Sequence, residues 1–134
     1  MFLNNLTQEK KELFLSLAYN ISCIDDNYAD EEKMVLEQYC VEMDIRIDKI
    51  QLIEDFDKIL NRINILCNFQ EKKIFVFESV GLILVDGVIH DKEMEAITNM
   101  VRLFEINDNY FEDCMKLIKE YYDLQSRMMN LINT

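Results

Sequence analysis

Apolar residues recur at helical spacing along almost the whole chain. Leu13, Leu17 and Ile21, with Phe14 and Ala18 beside them, form one stripe. It predicts a helix that starts near Thr7, a residue suited to an N-cap, and breaks at Asp25-Asp26-Asn27-Tyr28. A second helix is predicted from about Asp30 to Met43, with Leu36, Tyr39, Cys40 and Met43 inward. A third begins near Asp48, carries Ile50, Ile53, Phe56, Ile59, Leu60 and Ile63, and ends by Asn68. The segment from Gln70 to Val85 is apolar on nearly every side, which predicts a fourth helix at the centre of a bundle. A fifth follows from about Asp91 to Phe104, and a sixth from Asn107–Asn109 to about Tyr122. A last amphipathic piece, Leu124 to Ile132, makes seven.

The pattern repeats. Lys11 to Ile45 and Lys72 to Ile106 align at a constant shift of 61 residues. The shift pairs Phe14 with Phe75, Asp25 with Asp86, Asp30 with Asp91, Glu32 with Glu93 and Ile45 with Ile106. Core-type positions follow it too, as Leu36/Ile97, Tyr39/Met100, Cys40/Val101 and Met43/Phe104 show. Each unit is an apolar helix, an acidic turn and an amphipathic helix. The chain has no Pro and only two Gly, so the usual punctuation of turn-rich β folds is missing. The expected fold is therefore all-α: one domain over residues 1–134, a helical bundle built from two pseudo-repeated hairpins at about 11–45 and 72–106.

Charge narrows the partners. Twenty-six acids stand against 14 bases, a formal net charge of −12. That repels nucleic-acid phosphates and anionic headgroups and favours cations or a basic protein surface. The longest apolar run, Ser79 to Val85, is too short to cross a bilayer, which takes about 20 residues. Membrane insertion is not expected, although a membrane-associated partner fits. The N-terminus lacks the basic and apolar blocks of a signal peptide. Cys23, Cys40, Cys67 and Cys114 form no Cys-x-x-Cys pair and read as reduced thiols, which points to the cytoplasm. His90 is the only His, so cysteine–histidine zinc ligation has no suitable spacing.

The two acidic turns admit two readings. In the second, Asp86-Gly87-Val88-Ile89-His90-Asp91-Lys92-Glu93 matches the back half of an EF-hand loop. The front half fails, because Leu82 and Leu84 stand where the first ligands belong. The first turn lacks the Gly. Helix capping accounts for most of these acids: His90 as N-cap with Glu93 three residues on gives half of a capping box. The functional reading joins both turns. Two halves packed about a pseudo-twofold axis would bring Asp25 and Asp86 to one end, where Asp26, Glu32 and Glu93 add oxygens for a divalent cation. Glu78 lies in the most apolar helix, and its counterpart under the shift is Leu17. A buried carboxylate needs a partner, so Glu78 either pairs with a Lys or Tyr or serves as a further ligand. The metal candidates are thus Asp25, Asp26, Glu32, Glu78, Asp86 and Glu93, and the candidate ions calcium, magnesium or zinc. No motif supplies a nucleophile to His90, so an enzyme is not expected.

Two stretches resemble the TerB-like family. One is Phe-x-x-Leu-Ala-x(6)-Asp-Asp-Asn-x(4)-Glu from Phe14 to Glu32, followed by Glu37 to Ile45. The other is Glu-Lys-Lys-Ile-Phe-x-Phe-Glu over Glu71 to Glu78, followed by Asp86-Gly87 and Glu93. That family includes tellurite-resistance proteins and the N-terminal domain of a membrane-anchored co-chaperone. The resemblance implies a bundle of two related halves and a bacterial cytosolic protein linked to chemical stress. It also implies a divalent-cation site among turn carboxylates, whose acidic positions correspond to Asp25 and Asp86 and whose helix-start glutamates correspond to Glu32 and Glu93. The family's Asp-Gly is Asp25-Asp26 in the first turn, and its small polar cap is Ala29 there and His90 in the second. The expected function is a non-enzymatic adaptor that binds a cation at its acidic turns. The alternative is a protein-interaction domain with no metal site, its carboxylates serving as caps.

Overall fold

The computed structural model describes residues 1–24, 30–46, 55–85 and 87–134, with backbone alone for 30–33. Its described residues form a 3-10 turn at Leu3–Asn5 and six α-helices, and no strand occurs among them. The helices are α1 (Gln8–Ser22), α2 (Asp30–Met43), α3 (Phe56–Leu66), α4 (Phe69–Ile83), α5 (Asp91–Leu103) and α6 (Tyr110–Asn133). The expected start of α3 near Asp48 falls outside the described residues. The expected sixth and seventh helices are one: neither Pro nor Gly stands between Tyr122 and Leu124, so nothing stops the backbone ladder.

Local chemistry sets the ends. Asp55 caps α3, its carboxylate accepting the Lys58 N–H at 3.2 Å. Asn68 and Glu71 make a full capping box at the start of α4. The Asn68 side chain accepts the Glu71 N–H at 2.8 Å, and Glu71 accepts the Asn68 N–H at 2.9 Å. The cap sets the start of α4 at Phe69, one residue before the expected Gln70. Thr7 precedes α1 as expected, but its hydroxyl makes no cap bond. The ends of α2 and α5 are alike. Ile45 N–H reaches Cys40 O at 3.0 Å and Asp44 N–H reaches Val41 O at 3.2 Å. Ile106 N–H reaches Val101 O at 3.0 Å and Glu105 N–H reaches Arg102 O at 3.1 Å. Both are Schellman closures, with Asp44 and Glu105 held at φ of 54° and 56°.

The core is built around α1 and α4. The first packs on α2, α3 and α4, and the second on α1, α5 and α6. Phe14 and Phe75 meet edge to face at 5.6 Å, and Tyr39 from α2 meets Phe14 at 5.1 Å. Lys10 closes the same seam one turn earlier through a 2.8 Å ion pair with Glu71. Two contacts advancing together along both helices mean that α1 and α4 run in the same direction. They also begin 61 residues apart, at Gln8 and Phe69, and end 61 residues apart, at Ser22 and Ile83. The fourth helix, expected at the centre, shares it with α1. Leu13 to Ala18 are all buried in α1, while Phe69 at the start of α4 is half exposed. Leu15 and Ser16 widen the stripe expected for α1 into a buried circumference. Ser22 and Ser79 stay buried because each hydroxyl bonds a carbonyl four residues back, at 2.9 and 2.7 Å.

Phe75→Ala removes a fully buried ring from the α1–α4 seam. It should cost about 3–5 kcal/mol in urea unfolding, the usual loss for a core Phe. Glu105→Gly relieves a left-handed backbone carried by a residue with a Cβ. It should raise stability by about 1 kcal/mol, read as a higher urea midpoint with unchanged slope.

Candidate functional site

The parallel run of α1 and α4 brings Ile24 and Val85 to the same end of the bundle. Asp25, Asp26 and Asp86, which follow them in sequence, lie outside the described residues, as does the side chain of Glu32. After α4 the chain turns at Gly87, which takes φ of 78° and donates its N–H to Leu84 O at 3.1 Å. That left-handed position is one glycine adopts without steric cost.

Glu93 and Glu78 are described, and each is buried and engaged. Glu93 accepts the His90 N–H at 3.2 Å, the half of the capping box expected from the sequence. Glu78 is satisfied in a way the sequence did not suggest. Its carboxylate accepts the Phe2 N–H at 2.9 Å and pairs with the Met1 ammonium at 3.0 Å. Met1 also pairs with Glu42, whose second oxygen is buried with no hydrogen-bond partner among the described residues. Tyr39 donates its hydroxyl to Glu78, but to the backbone carbonyl, at 3.2 Å. A Lys or Tyr had been the expected partner of the carboxylate. A backbone amine leaves no mark in residue spacing, so no pattern could have found it.

Electrostatics follow burial. Burial alone would lower the pKa of the Met1 ammonium, but hydrogen bonds and charge from Glu42 and Glu78 outweigh it and raise it above 8.0. Burial drives the Tyr39 hydroxyl far above its usual range, and Glu78 adds to the effect. All four cysteines are thiols, and Cys40, Cys67 and Cys114 are buried. Burial pushes Cys67 and Cys114 up to about 11, which keeps both protonated and unreactive at neutral pH.

Beside Glu78 an apolar recess of about 360 Å³ opens between α2, α4 and α6. Val35, Tyr39, Phe77, Leu117, Tyr121 and Tyr122 are among its walls, and Glu78 supplies a carboxylate. No group of three or more His, Cys, Asp or Glu side chains suited to a metal ion occurs among the described residues. No helix among them is long and apolar enough to cross a membrane. Compared with known proteins, the chain matches no protein-family model, no curated protein and no solved structure.

Glu78→Gln should destabilise the fold by roughly 1–2 kcal/mol at neutral pH, because half-exposed Met1 is partly screened by water. The raised ammonium pKa fixes the pH dependence. Its stabilisation is complete below the ordinary value of 8.0 and fades as pH climbs through the higher folded value. Urea unfolding at neutral and alkaline pH should show that loss in the parent chain and a smaller one in Glu78→Gln.

Proposed function

We propose that this chain is a non-enzymatic, acidic helical binding module of TerB-like type. It is built from two related halves, holds a divalent cation at one end of the bundle and acts as a cytoplasmic adaptor in a stress response. The observation that carries the reading is the shared direction of α1 and α4, whose C-terminal ends at Ser22 and Ile83 lie at one end of the bundle. Further support comes from contacts that recur at the same 61-residue shift. Lys11 bonds Met43 O at 2.8 Å in one half, and Lys72 lies over the Phe104 ring at 6.0 Å in the other. The two Schellman closures carry the same offset.

Chemically, calcium or magnesium takes several carboxylate and carbonyl oxygens, and zinc accepts carboxylates as well. Asp25, Asp26 and Asp86 are the turn ligands of this reading, with Glu32 as their helix-start companion. A second reading, an interaction domain whose carboxylates serve as caps and internal counter-charges, draws on Glu93 and Glu78. Both are spent inside the fold, on the His90 N–H and the Met1 ammonium.

Titration separates the two. Calcium, magnesium or zinc should move NMR signals from both turns together and raise the melting temperature, since a ligand favouring the folded state stabilises it by mass action. Asp86→Asn should weaken binding about tenfold, the loss of one charged contact, while Asp123→Asn on the exposed part of α6 should not. If no cation at about 1 mM disturbs either turn, a concentration matching only marginal affinity, the cation reading falls and the capping reading stands.

A further inference from the structure

Among the described residues, the second half of α6 buries no side chain in the bundle. Phe111, Cys114 and Ile118 are buried, but every residue from Lys119 to Thr134 is exposed. The sequence there is nonetheless written for burial. Tyr121, Gln125, Met128 and Ile132 recur at steps of four, three and four, the spacing of a coiled-coil seam. The same seam runs back through Ile118 and Cys114, which pack inside the bundle. Leu124 and Leu131 flank it on one side, Tyr122 and Met129 on the other, while Lys119, Glu120, Asp123 and Arg127 lie on the opposite face.

We propose that this half-helix pairs antiparallel with the same segment of a second copy, making a twofold homodimer. Antiparallel pairing sets Tyr121 against Ile132 of the second copy and Gln125 against Met128. The flanks then match as well, with Leu124 meeting Leu131 and Tyr122 meeting Met129. One surface thus serves both copies, as a twofold interface requires.

Three observations favour a second copy over other occupants. The first is area. Seven large apolar side chains are exposed between Tyr121 and Ile132. At about 200 Å² each when fully open, their exposures leave roughly 700–800 Å² per copy. A stable interface takes about 800 Å² a side. The second is charge. Each chain carries −12, yet the two bases and two acids of the tail cancel, so the copies meet along their neutral stretch. An anionic membrane surface would meet the repulsion of the whole chain instead. The third is the recess. Leu117, Tyr121 and Tyr122 line it at the base of the tail, where antiparallel pairing delivers the partner tip. That tip carries Leu131 and Ile132, 78% and 75% exposed in the single chain.

Light scattering and sedimentation on the full chain should give twice 16.1 kDa at micromolar concentration. A double change, Met128→Glu with Ile132→Glu, alters only exposed residues. It should keep the helical spectrum and melting behaviour of the single chain while weakening association at least a hundredfold. Orientation is read separately by cysteine crosslinking. Chains with Tyr121→Cys should crosslink to chains with Ile132→Cys, and Ile132→Cys chains should not crosslink to one another. A parent chain that stays at 16.1 kDa up to about 1 mM, the scale of a marginal interface, overturns the proposal. So does Ile132-to-Ile132 crosslinking, and so does a monomer taken up by phosphatidylcholine vesicles, which would give this face to a membrane.

Discussion

The edge-to-face contact between Phe14 and Phe75 is the constraint on which the rest of the molecule depends. Each ring is fully buried, and each belongs to a helix with three neighbours. Because the two rings come from corresponding places in α1 and α4, locking them together fixes the register of the helices as well as their separation. Lys10 and Glu71 then find each other at 2.8 Å one turn away, and Tyr39 closes the cluster from α2. With α1 and α4 set side by side, the helices that follow them have little freedom: α2 must return along α1, and α5 along α4. The common exit of α1 and α4 is a by-product of that register. Packing in the middle of the bundle therefore decides where the acidic segments begin.

Glu78 shows how a single polar group inside this core shapes its edge. An unpaired carboxylate at that depth would be costly. The fold answers by drawing in the first two residues of the chain, so that Met1 and Phe2 satisfy it. Phe2 is seated further by an edge contact with the Phe77 ring at 5.6 Å. The N-terminal segment consequently belongs to the wall of the bundle, and the 3-10 turn at Leu3–Asn5 packs on α2 behind it.

Helical periodicity made the helices legible, and the scarcity of Pro and Gly made the class legible, because both act locally. The breadth of burial in α1 was less visible. Buried Ser16 and Ser22 look polar in a sequence, and a hydroxyl bonded to its own helix cannot be told from an exposed one. The partner of Glu78 was illegible for a different reason, since a terminal amine contributes no residue type to any pattern. The expected break in α6 after Tyr122 does not occur, because Asp123 sits on the polar face and interrupts nothing in the backbone. Capping by Glu93 was read correctly because its offset from His90 is short and local.

The unbroken course of α6 has a mechanical consequence. Its 24 residues contain no Pro or Gly and span about 36 Å. From Tyr122, the last residue of α6 in the wall of the recess, the tip at Ile132 stands about 15 Å away along a fixed line. A flexible tail of the same length would sample many directions and act as a tether. This one acts as a spoke: whatever grips its tip is held at a set distance and a set azimuth from the bundle, and torque applied there is carried into the α4 seam.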